Sequence, residues 1–156
     1  MTKVKFALAA AFALASLSAA SAQVPAPVDL DTVAPVSGTW TYRPIAGGSE
    51  SDFIDAASVV RFKIRCNRVA RTVSLVRTGV PAATATLTVW TTTLSRSVPA
   101  RFMPTRELVA DLAATDPLLD AIAFSRGRLA TAAAGAPMVA VSAWPEIDRV
   151  IEDCRS

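Results

Sequence analysis

The sequence predicts an α+β fold: an antiparallel β-rich sheet or sandwich with one short buried helix and a C-terminal helix stapled on by a disulfide. Three observations predict it. Apolar residues alternate with polar ones in several short stretches, among them VRFKIRC, as they do in half-buried strands. Helical patterning is confined to TDPLLDAIAFSRG and WPEIDRVIEDCRS. The two cysteines, Cys66 and Cys154, each fall at the inward position of their own element.

The first 22 residues stand apart. MTKVK is a short basic head, Phe6 to Leu17 is rich in Phe, Ala, Leu and Ser, and Ala20-Ser21-Ala22 is a small-x-small site. This is the pattern of a secretory signal peptide, with cleavage expected between Ala22 and Gln23. Its apolar run is short of the roughly 20 residues that span a bilayer, and no later segment is long or apolar enough. No cysteine lies at the cleavage point, which excludes an acylated lipoprotein. The mature chain is therefore expected in the periplasm or outside the cell, without a transmembrane segment. It keeps 134 residues, enough for one domain, and 14 basic against 13 acidic side chains. The +3 charge of the whole chain falls to about +1.

Residues 23–36 hold Pro25, Pro27 and Pro35 and few large side chains, which predicts an extended tether, with a single β-rich domain over 37–156. In SGTWTYRPI, Trp40 and Tyr42 share one side of a strand that ends at Gly47-Gly48. In VVRFKIRC, Val60, Phe62, Ile64 and Cys66 form an apolar face opposite Arg61, Lys63 and Arg65. Ser51 to Asp55 reads as its hairpin partner, and RTVSLVR, with Val73 and Leu75 inward, as the next strand of a meander. Thr84 to Thr93 is dense in β-branched residues and reads as a strand. Two prolines break Val98 to Pro104, and Glu107 to Leu112 alternates weakly. Thr115 or Asp116 caps a short helix with Pro117 in its first turn and a stop at Gly127; Leu118, Leu119, Ile122 and Phe124 are expected to bury it. Strands near Arg128 to Ala134 and Met138 to Ala143 flank a Gly135-Ala136-Pro137 turn.

The last helix starts at Pro145 and aligns Ile147, Val150, Ile151 and Cys154 at i, i+3, i+4 and i+7. That stripe needs an apolar surface, and the inner face of the strand ending at Cys66 supplies one. Two inward cysteines in an exported chain imply a Cys66–Cys154 disulfide, the one connectivity available. RFKIRC on a strand, followed at a distance by RVIEDC on a terminal helix, resembles small exported bacterial domains that include the type VI secretion-associated periplasmic accessory proteins. The resemblance covers Trp40 to Cys154 and implies a non-catalytic accessory of envelope processes.

Chemistry is limited by composition. No histidine is present, so Ser-His-Asp catalysis and histidine metal sites are absent, and oxidised cysteines leave no thiol nucleophile. No metal ligand set and no cofactor motif is apparent. Asp29 and Asp31 form a D-x-D pair without EF-hand spacing. Asp116 and Asp120, at i and i+4, are the one pair suited to dividing acid and base roles in a carboxylate-dependent cell-wall hydrolase. Against that reading, Asp116 serves as a cap and Asp120 as a solvated group.

The charges are segregated. Ala56 to Arg106 carries nine basic residues and no acid. Arg61, Lys63 and Arg65 project from one strand face, with Arg68 and Arg71 just beyond, and form a candidate site for an anionic surface or an envelope protein. Nucleic acid is not an expected partner for an exported chain of near-zero net charge. The competing reading pairs the row with Asp52 and Asp55 or with the acidic terminal helix. Exposed ion pairs contribute about 0–1 kcal/mol each, so changing Arg61, Lys63 and Arg65 to Gln is expected to leave the thermal midpoint nearly unchanged. The function expected is an exported, non-enzymatic binding or accessory role; the hydrolase is the alternative.

Overall fold

The computed structural model describes Pro25 to Ser156. The expected signal peptide and its cleavage point lie outside the described residues. The elements in chain order are β1 (Gly38–Ile45), β2 (Gly48–Asp55), β3 (Val60–Asn67), β4 (Thr72–Arg77), β5 (Thr86–Trp90), β6 (Ser95–Pro99), β7 (Arg101–Phe102), β8 (Leu108–Ala113), α1 (Pro117–Ala123), β9 (Arg128–Ala133), β10 (Val139–Ser142) and α2 (Pro145–Arg155). They form two antiparallel sheets, a six-stranded one ordered β1-β2-β3-β4-β8-β7 and a four-stranded one ordered β10-β9-β5-β6.

The meander β1 to β4 follows from turn chemistry and alternation. Gly47 takes a left-handed φ of 76° that a side chain resists, and it closes the β1–β2 hairpin. Gly48 must also lack a side chain, because a Cβ there would sit 2.0 Å from the Cys66 carbonyl oxygen. The register places Trp40, Phe53, Phe62, Arg77 and Leu108 across the inner face in one row. A second row runs Ser49, Cys66, Val73 and Leu112. Trp40 packs edge-on against Phe53 and Phe62, and its indole N–H donates to the Ser142 carbonyl at 2.8 Å, tying the two sheets together.

Helix α2 lies against the inner face of β1 to β4. Ile147, Val150, Ile151 and Cys154 are all buried, and Cys154 is bonded to Cys66 with the Cα atoms 5.4 Å apart. The bond closes 88 residues of sequence and anchors the end of the chain, where a helix otherwise frays. Helix α1 packs on α2, capped by Asp116, whose side chain accepts the Leu118 N–H at 2.8 Å.

Four expectations change. β2 begins at Gly48, three residues before the expected Ser51. Residues 95–102 form strands on both sides of Ala100: β6 pairs with β5 and β7 with β8, so the chain crosses between sheets next to Pro99. Helix α1 ends at Ala123 rather than near Gly127, which leaves Phe124 72 % exposed. The chain turns there because Ser125 is drawn in, its hydroxyl donating to the Arg128 carbonyl at 2.5 Å. Finally, the proline-rich stretch has neither helix nor strand, yet it lies docked along the smaller sheet. Leu30 is buried against Trp90, Ala130 and Ala140; the Trp90 indole donates to the Ala26 carbonyl, and Arg128 to the carbonyls of Leu30, Asp31 and Val33. The sheet's outer surface of alanines around one Trp needs such a cover.

Candidate binding face

On β3 the row Arg61, Lys63, Arg65 points to the face of the six-stranded sheet opposite α2. Its cross-strand neighbours on β2 are acidic: Glu50 stands beside Arg65 and Asp52 beside Lys63. On the far side of β2, Arg43 stands beside Glu50. The register therefore threads two carboxylates between basic strands.

The pairing is specific. Arg65 and Arg43 both bond Glu50, and Arg43 also reaches Asp52 at 2.6 Å. Arg61 meets Asp55 at 2.5 Å, and Lys63 extends past Asp52 to Glu107 at 3.0 Å. One Asp52 oxygen, Oδ1, is consequently buried without a partner. The Asp52 bond raises the Arg43 pKa further above its ordinary value. The Val59 backbone N–H and then Arg61 hold the Asp55 carboxyl below the usual range. Burial works to raise Glu107, but bonds from Lys63 and Thr105 bring it below the usual range.

The two signs differ in depth. The side chains of Glu50 and Asp52 are 2 % and 6 % exposed, whereas those of Arg43, Arg61 and Arg65 are 51 %, 40 % and 48 % exposed. The acids form a buried layer, and guanidinium groups form the surface over it. Each guanidinium carries five N–H donors, more than the acids beneath engage.

Arg68 and Arg71 belong elsewhere. Arg68 lies 3.7 Å from the Asp153 carboxylate and donates to its carbonyl, and Arg71 donates to the Arg155 carbonyl at 2.7 Å. Both hold the carboxyl end of α2, where its dipole favours positive charge. Burial works to raise Asp153, but the Tyr42 hydroxyl at 2.8 Å, Arg68 and Arg149 keep it below the usual carboxylate range. The five-residue candidate thus divides into a face of three and a helix clamp of two.

The carboxylate pair on α1 is engaged. Asp116 accepts from Arg96 at 2.7 Å as well as capping the helix, and Asp120 pairs with Arg155 at 2.6 Å. Asp29 and Asp31 lie in the docked strap, with the Asp31 N–H donated to Asp29 Oδ1. Among the described residues no cluster of three or more potential metal ligands occurs. Of the tryptophans, Trp40 and Trp90 are buried and Trp144 is exposed.

Arg43, Glu50 and Glu107 are the members of this face that the sequence pattern did not single out. The register that sets SESD against KIRC is not readable from the Asp55 to Ser58 turn, because it depends on a one-residue shift between Phe53 and Ile54. One further cation is buried without a carboxylate. Arg77 faces inward from β4 and donates to the carbonyls of Arg61, Thr78 and Pro137 at 3.1, 2.5 and 3.2 Å. Burial, with Arg61 nearby, pushes its pKa down to about 10, still charged at neutral pH.

No family model, no curated protein and no solved structure matches this chain. The described residues contain no helix long and apolar enough to cross a membrane.

Proposed function

We propose that this chain is an exported, non-enzymatic accessory protein of the cell envelope that holds an anionic surface with the open face of its six-stranded sheet. The observation that carries the proposal is the layering of that face: carboxylates buried, guanidinium groups exposed above them. An approaching anion meets donors first, while the acids hold the arginine side chains in place and reduce the entropy lost on binding. The disulfide supports an oxidising compartment. The resemblance to periplasmic accessory domains of type VI secretion fits the same reading. The engagement of Asp116 and Asp120 by arginines favours a binder over the hydrolase.

Retention on vesicles containing anionic lipid, and on lipopolysaccharide, tests the proposal. The double variant Arg61→Gln/Lys63→Gln is the clean probe, because it leaves both partners of buried Glu50 in place. Retention of the wild-type protein should fall as salt rises, since such contacts are screened over about 8 Å at physiological ionic strength. The variant should be retained less and show a flatter salt dependence. Equal retention of both proteins at every salt concentration refutes the anionic-surface role.

A further inference from the structure

The outer face of the four-stranded sheet carries a seat with a known occupant. Trp90, Ala130 and Ala140 stand in one row across β5, β9 and β10, and Leu30 of the strap packs against all three. Two side chains supply the donors. The Trp90 indole N–H reaches the Ala26 carbonyl at 2.9 Å, and Arg128 Nη1 reaches the carbonyls of Leu30, Asp31 and Val33 at 3.0, 3.2 and 2.9 Å.

This seat reads little of the strap's own sequence. Among the described residues, its hydrogen bonds to the strap all go to backbone atoms, and only the one from Val36 to the Ala140 carbonyl uses a strap N–H. Leu30 is the one buried residue of the strap. A segment held by its carbonyls loses nothing where proline removes an N–H, which is how aromatic-lined grooves take proline-containing chains in extended form. The strap also leaves its seat partly empty. Between it and the residues after β5 lies a cleft of about 240 Å³, lined by Val28, Asp29, Leu30 and Asp31 on one side and by Thr91 and Thr92 on the other.

We propose that this face is a peptide-recognition groove, closed in cis by the strap, that takes in trans an extended, proline-containing segment of a partner protein. The partner places a leucine-like side chain on Trp90, Ala130 and Ala140 and a bulky side chain in the cleft. Its chemistry is read from the strap, because the contacts that hold the strap are open to any segment with the same backbone course and one apolar anchor. The strap is the built-in competitor. Only Ser37 separates Val36 from β1, so the strap acts at an effective concentration of about millimolar, and a partner's apparent affinity falls with the fraction of chains whose groove is open. Filling the cleft is the partner's advantage. The groove lies on the smaller sheet, apart from the arginine face of the larger one.

The probe is a labelled synthetic peptide of residues 25–36, PAPVDLDTVAPV, with the full chain as receptor. Leu30→Asp in the chain should release the strap and leave the groove in place, because Leu30 lies outside the main core. By fluorescence anisotropy this variant should bind the peptide about tenfold more tightly than the wild type, and binding should return Trp90 emission toward the blue. An Asp31→Phe peptide, which keeps Asp29, should bind about threefold more tightly still. A Leu30→Asp peptide should not bind, and the Leu30→Asp/Arg128→Gln chain should bind none of them. The wild-type chain gives a measurement free of any folding defect: at about millimolar peptide, the Val36 amide should exchange faster as the strap leaves Ala140. Arg61→Gln/Lys63→Gln should change none of this, so the two sites fail or succeed separately. The proposal is overturned if the opened chain binds the peptide no more tightly than the wild type and Val36 exchange stays constant, or if Arg128→Gln leaves binding intact. It is equally overturned if the Asp31→Phe peptide is no tighter than the strap peptide, or if wild-type chains dimerise by exchanging straps, which would make a second copy the occupant.

Discussion

Replacing Arg65 by Gln isolates the buried acid layer. Glu50 is held between Arg43 and Arg65, and its side chain is almost wholly removed from water. With Arg65 gone, Glu50 keeps Arg43 but loses one charge-assisted partner, a cost of about 1–2 kcal/mol. Arg43→Gln is more severe, because Glu50 and Asp52 both lose a partner and Asp52 already has one unpaired oxygen; the expected cost is about 3 kcal/mol. Combining the two strands Glu50 without a cation, for about 4–5 kcal/mol in total. Urea denaturation measures these differences as shifts in midpoint at constant slope. Arg65→Gln should also lower the thermal midpoint by about 3–8 °C. A cycle of Arg65→Gln with Glu50→Gln should give a coupling of about 1 kcal/mol. The expectation that the triple Arg61, Lys63 and Arg65 variant leaves stability unchanged is thereby revised, with Arg65 supplying the loss. A cost below about 0.5 kcal/mol for Arg65→Gln together with zero coupling would refute the buried-acid account.

The carboxyls of Asp55, Glu107 and Asp153 all lie below their ordinary values, so their contribution to stability is present above the unfolded values near about pH 4 and is lost as pH falls through the lower folded values. With no histidine in the chain, thermal midpoints should be flat between about pH 5 and 8 and fall below about pH 4; a transition near pH 6 would contradict this. Cys66→Ser/Cys154→Ser should cost about 4–5 kcal/mol in chemical denaturation, and the intact mass of unreduced protein should lack the two thiol hydrogens; free thiols in fresh material would contradict the disulfide. Leu30→Ala should destabilise by about 2 kcal/mol and shift Trp90 emission to the red as the strap loosens, whereas unchanged stability and emission would mean that the strap contributes no cover.

What was legible in the sequence is what local periodicity encodes. Phe62 to Cys66 of β3 and the buried stripe of α2 are unbroken apolar rows, β4 adds Val73 and Leu75 before Arg77 turns inward, and the two cysteines fall on rows that meet. The first half of β2 was not legible because none of its side chains is apolar. Ser49 and Ser51 face inward, where α2 packs against the sheet, while Glu50 and Asp52 face outward beneath arginines. All four are buried, each for a reason supplied by another part of the chain. The β6–β7 crossing escaped for a related reason. Pro99 breaks a strand in sequence, yet the residues on its two sides pair with different sheets, which only the tertiary arrangement specifies.

The basic run from Ala56 to Arg106 was visible at once, but a run of charge along a chain fixes neither depth nor partners. Depth comes from strand pairing. β2 and the residue just before β8 bring Glu50, Asp52, Asp55 and Glu107 to the cations from outside the run, so the face is close to neutral by count. What a ligand meets is decided by length instead. A carboxylate on a short side chain lies close to the sheet, whereas an arginine reaches over it and keeps its outer N–H groups in water. Neutral pairing and a cationic surface are therefore compatible here. The discriminating measurement is accordingly salt-dependent retention rather than net charge, and Arg61 and Lys63 are the positions at which to change it without disturbing Glu50.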